Sequence, residues 1–124
     1  MAGKIGLLNK DSTTKPTRYY SDKQEKAVSK AIGGNQTSNS GATMFQKGDV
    51  VSSKFLIECK TKTSASNSIS VKKSWITKNK EESIFMNKEY TAVAISFGPG
   101  EENYYIIDEN LFKILNEYIT SKDI

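Results

Sequence analysis

The chain has 124 residues, 36% of them hydrophobic, and a formal net charge of +4, which suits a single domain with one modest core. There is no histidine and only one cysteine, Cys59, so an internal disulfide, serine–histidine or cysteine–histidine nucleophiles and histidine acid–base catalysis are excluded, and zinc is left with little but carboxylates. No apolar stretch approaches the roughly 20 residues of a bilayer span, so a soluble protein is expected in the cytoplasm, or in the host cytoplasm if the chain is phage-encoded.

Residues 1–20 carry scattered Lys, Thr and Ser with Pro16 and no periodicity, and are expected to form a flexible basic arm ahead of a single domain over residues 21–124. From residue 22 the pattern becomes helical: Ala27, Val28, Ala31 and Ile32 recur on one stripe, with Ser21 or Asp22 as the expected cap and Gly33-Gly34 as the stop. Glu25 falls within about 60° of Val28 and Ile32 around that helix, at the edge of the stripe that should be buried. A carboxylate placed there needs a partner.

A short strand and a polar loop are expected over residues 35–46, then strands over residues 48–52 and 54–60 joined by a turn at Ser53-Lys54. Residues 70–87 read as a helix in which Val71, Trp75, Ile76, Ile84 and Phe85 supply the apolar contacts. Trp75 is better suited to packing than to base stacking, and Cys59 to a small buried hydrophobe. Strands over residues 90–97 and 103–107 flank the turn Gly98-Pro99-Gly100. The last helix, capped by Asp108, carries Leu111, Ile114, Leu115, Tyr118 and Ile119 at the spacing of one apolar face. The order αβββαββα describes an α/β fold with a mixed sheet covered by helices.

Charge is unevenly distributed along this order. Between Cys59 and Lys80 there are six lysines and no acid, whereas the last 24 residues hold six acids and two lysines. The lysine-rich stretch, with Lys62, Lys72 and Lys73 as its candidate contacts, suits a phosphate backbone, and the acidic final helix should lie away from one.

The residues with chemistry concentrate in the two central strands. Side chains two apart share a strand face, so Glu58 and Lys60 project together while Ile57 and Cys59 point the other way. Asp49 lies nine residues before Glu58, a separation that a hairpin brings alongside. Two adjacent carboxylates repel unless a cation lies between them, and oxygen ligands favour Mg²⁺ or Mn²⁺. Asp49, Glu58 and the Cys59 carbonyl are thus the expected metal ligands, with Lys60 positioning water and offsetting charge, and Glu25 binding a water of the metal's shell or a second metal. Glu-x-Lys alone is a common pattern on the wet face of a strand; it gains meaning from Asp49, Glu25 and the lysines around it.

Gly48-Asp49-Val50, Phe55-Leu56-Ile57-Glu58-Cys59-Lys60 and the upstream Glu25 resemble the PD-(D/E)xK nuclease superfamily, and within it the archaeal-type and phage Holliday-junction resolvases. The likeness spans residues 22–107, with Gly48 standing where the superfamily's name has proline. It implies a restriction-endonuclease-like sheet, catalytic roles for Glu25, Asp49, Glu58 and Lys60, and a loop serine, for which Ser40 is the match. It further implies a homodimer that cuts four-way DNA. A sequence-specific or repair-type nuclease on the same fold and a non-catalytic DNA-binding protein are the alternatives.

Overall fold

A computed structural model describes residues 16–37 and 49–122. The first helix, α1 (Thr17–Ile32), is followed by β1 (Asn35–Gln36), β2 (Asp49–Val51), β3 (Phe55–Thr61), α2 (Lys73–Phe85), β4 (Tyr90–Ser96), β5 (Asn103–Ile106) and α3 (Glu109–Ser121). The five strands form one sheet in the order β1-β2-β3-β4-β5. All neighbours are antiparallel except β3 and β4, which are parallel and therefore need the crossover that α2 provides. This is the mixed α/β sheet with flanking helices expected from the pattern. None of the described helices is long and apolar enough to cross a membrane.

Helix α1 begins at Thr17, not at residue 22, so residues 17–20 belong to the helix and not to an arm. Pro16, with φ −60° and ψ 150°, precedes its first turn, and no side chain caps it. Ser21 bonds the Thr17 carbonyl within the helix, and Asp22 pairs with Lys26 and accepts a bond from Gln36, so neither acts as the cap. The stop is as expected: Gly33 is left-handed at φ 68°, where a Cβ is disfavoured. Gly34 is required for a different reason, since a Cβ there would lie 2.4 Å from the Val51 carbonyl oxygen.

The sheet has two differently furnished faces. Ile57 and Cys59 of β3 join Val50, Ala92, Ala94 and the α1 residue Val28 in the main core. By alternation Leu56, Glu58 and Lys60 face the opposite side, which α2 covers. There the inner face of α2 is not the expected apolar stripe: Ile84 and Phe85 are more than three-quarters exposed, Val71 is exposed as well, and the buried residues of the helix are Asn79 and Ser83. Asn79 Nδ2 donates to the carbonyls of Leu56 and Ala92, one on each of the two parallel strands. A polar clamp, rather than an apolar stripe, docks this helix.

Asp108 caps α3 as expected, accepting a bond from the Leu111 amide at 2.9 Å. The apolar stripe behind it is only begun by the fold: Leu111 is buried, whereas Ile114, Leu115, Tyr118 and Ile119, and Phe112 beside them, are exposed. Leu111 and Leu115 line an apolar crevice of about 320 Å³ with Ile32, Phe55, Ile57 and Tyr105. That crevice is on the α1 side of the sheet.

Candidate active site

The β2–β3 hairpin pairs Asp49 directly with Glu58, so their side chains leave the same face a few ångströms apart. Lys60, two residues further along β3, brings its Nζ to 3.2 Å from Glu58 Oε2. A third carboxylate comes from a part of the chain that the motif does not include. Glu82 of α2 reaches down onto this face, and single oxygens of Asp49, Glu58 and Glu82 all lie within 4.8 Å of one another.

The electrostatics of this cluster are unfavourable as it stands. Asp49 is 1% exposed, and among the described residues no group other than the neighbouring Glu58 and Glu82 carboxyls is placed to bond its carboxylate oxygens. Burial pushes the Asp49 carboxyl far above the usual carboxylate range, and the neighbouring Glu58 and Glu82 push it in the same direction. Buried acceptors without donors are costly. A divalent cation with oxygen preference satisfies all three groups at once, and the residues present therefore fit Mg²⁺ or Mn²⁺.

Glu25 stands elsewhere. It is 2% exposed, accepts a bond from Gln36 Nε2 at 3.0 Å and lies 3.9 Å from the Arg18 guanidinium. Gln36 is in register with Val50, a residue of the α1-side core, so Glu25 is housed on the face opposite Asp49 and Glu58. Burial raises its carboxyl above the ordinary value; Gln36 and Arg18 draw it back, and Glu58 adds to the rise. The structure thus brings Asp49, Glu58 and Lys60 together as expected but gives the third carboxylate position to Glu82.

The remaining expected site residues divide by position. Ser40 and Gly48 lie outside the described residues. Cys59 packs its side chain in the core, where burial raises its thiol well above the usual value; no described contact joins its carbonyl to the three carboxylates. Lys72 and Lys73 are exposed at the start of α2, and Lys62 is half-buried. Within the lysine-rich stretch, Lys80 is taken up by an ion pair with Asp108 at 2.6 Å.

Glu82 had a signal that could have found it. Trp75, Asn79 and Glu82 stand at i, i+4 and i+7 on one helix face, and the adjoining Ser83 makes that face polar where an apolar stripe is wanted. A helix whose inner face is polar must meet polar groups on the sheet. Comparison with family models, curated proteins and solved structures gives no significant match to this chain.

Proposed function

We propose that this protein is a Mg²⁺-dependent endonuclease that hydrolyses phosphodiester bonds in branched DNA, with the four-way junction as its preferred substrate. The observation that carries the hydrolytic reading is the cluster of Asp49, Glu58 and Glu82 carboxylates, built around a buried Asp49, with a lysine ammonium beside it. The preference for a junction rests on the resemblance to the resolvases.

Asp49, Glu58 and Glu82 would hold the ion. When bound, Mg²⁺, or Mn²⁺ in its place, supplies a Lewis acid that polarises a phosphodiester oxygen and lowers the pKa of water. Lys60 keeps a positive charge at the edge of the cluster, where it orients the attacking water and offsets the charge that grows on the phosphate. The exposed Lys72 and Lys73, with Lys62, extend that positive edge along the DNA backbone and contribute salt-dependent affinity. The absence of histidine from the chain leaves no competing general base of that type.

The purified protein should nick a four-way junction with Mg²⁺ and leave it intact in EDTA, and Lys60→Ala should bind the junction but cut it about 100-fold more slowly. Equal cleavage of linear, mismatched and four-way DNA would favour a repair-type enzyme, and cutting at one sequence a restriction-like one. Salt-sensitive binding without cleavage under any metal would identify a non-catalytic DNA-binding protein.

Paired cuts in a four-armed substrate call for two active sites, and the exposed apolar face of α3 suits a second copy of the chain. That face is on the α1 side of the sheet, opposite the carboxylates, so its burial leaves the cluster accessible. Its surroundings are acidic and therefore unsuited to DNA. Sedimentation should give a dimer, and the double variant Phe112→Glu/Tyr118→Glu a monomer that nicks single strands but no longer cuts in pairs. A wild-type monomer at micromolar concentration would rule out this interface.

A further inference from the structure

Lys60 has two neighbours of different kinds, and only one of them can stay with it throughout the reaction. Its ammonium is 3.2 Å from Glu58 Oε2 and 5.2 Å from the centroid of the Trp75 ring. Glu58 belongs to the carboxylate cluster, and once it serves as a ligand its charge is no longer available to lysine alone. The Lys60 side chain is about one-third exposed, so an ammonium released by Glu58 can swing into water and leave the site. The indole face has no such second duty.

The helix beneath that ring is tied to the sheet. Trp75 lies one turn before Asn79 on the inner face of α2, and Asn79 is bonded to the backbone of both β3 and β4. The helix is thereby anchored to the strand that carries Glu58 and Lys60. Trp75 itself is half-buried, and its ring is the aromatic face beside the Lys60 ammonium. A tryptophan face is the strongest of the aromatic partners for a cation.

We propose that Trp75 is a positioning residue that retains the Lys60 ammonium at the site when Glu58 is engaged as a ligand. The inference rests on the metal-dependent reading of the cluster and concerns how its lysine is held in place. It implies that loss of the ring lowers turnover without weakening cation binding, because Trp75 is not one of the three carboxylates of the cluster. Trp75→Leu should reduce kcat about tenfold with KM unchanged, and Trp75→Phe, which keeps an aromatic face, should recover most of the loss.

The decisive measurement is the position of the lysine side chain, read by NMR. In the wild type the Lys60 ε-methylene protons should show the upfield shift of an aromatic face, and should keep it when the protein is saturated with Mg²⁺ alone. In Trp75→Leu the shift should vanish, and in Trp75→Phe it should persist at reduced size, with calorimetric Mg²⁺ affinity unchanged in both. If Mg²⁺ moves the wild-type methylene to the position of a free lysine, or if Trp75→Leu turns over at the wild-type rate, Trp75 does not position Lys60. If calorimetry detects no Mg²⁺ binding to the wild type, the metal-dependent reading fails and this inference fails with it.

Discussion

Glu82→Gln should weaken Mg²⁺ binding by at least about tenfold and slow cleavage of branched DNA by about 100-fold or more, whereas Glu25→Gln should change both by no more than about threefold. The contrast separates two carboxylates that are differently placed: Glu25 is fully buried, Glu82 half-buried. Glu82 shares a 4.8 Å cluster with Asp49 and Glu58. Glu25 accepts its hydrogen bond from Gln36 beneath α1 and has Arg18 nearby. A neutral glutamine in place of Glu82 removes one of three negative charges that a divalent ion and the Lys60 ammonium balance together, and its amide offers the ion only a weaker carbonyl oxygen. In place of Glu25 it can keep a hydrogen bond to Gln36 and removes a carboxyl that burial already disfavours in its charged form. Cleavage kinetics and calorimetry on both variants decide the matter: loss of activity with Glu25→Gln and retention with Glu82→Gln would restore Glu25 to the metal centre.

Removing the central carboxylate should have the opposite effect on folding. Asp49→Asn is expected to raise the stability of the metal-free protein at pH 8 by about 2 kcal/mol, on the order of 10 °C in Tm for a domain of this size, while abolishing cleavage. The direction follows from proton linkage. In the unfolded chain Asp49 ionises near pH 4; in the folded chain its carboxyl titrates far higher because it is buried against Glu58 and Glu82. Above pH 4 the unfolded state loses its proton while the folded state retains it. Stability conferred by the protonated group is thus complete in acid and declines as pH rises towards the folded value. Melting without divalent ions should accordingly show the wild type losing stability from pH 5 to pH 8, and Asp49→Asn losing much less. Glu25, raised in the same direction, accounts for a residual slope. Saturating Mg²⁺ should raise the wild-type Tm most at the alkaline end and leave the asparagine variant unchanged. A wild type whose metal-free stability rises over that range would contradict the electrostatic account of the cluster.

Local pattern was sufficient for the half of the site that lies in one hairpin. A strand alternates with period two, so Glu58 and Lys60 had to share a face and Ile57 and Cys59 the other; a tight hairpin then had to bring Asp49 beside Glu58. The Gly33 stop and the Asp108 cap were equally legible, because each satisfies backbone groups within its own turn. The start of α1 was not, since Pro16 and the Thr17–Tyr20 turn carry no capping side chain to announce it.

Everything that depended on which elements meet was left to the tertiary structure. A helix pattern identifies the inner face of a helix but not the sheet face it will cover. Glu25, at the edge of a buried stripe, was therefore as good a candidate for the metal centre as any, until α1 docked on the side of Ile57 and Cys59. The crossover between the parallel strands β3 and β4 placed α2 on the other side, and with it Glu82, 24 residues beyond Glu58 in the chain. The same dependence explains α3, whose periodicity announced an apolar face but not that the domain would bury only Leu111 of it. The sequence alone determined which residues could serve as ligands; the choice of partners came from the crossover, because only packing brings distant carboxylates close enough to need a common cation.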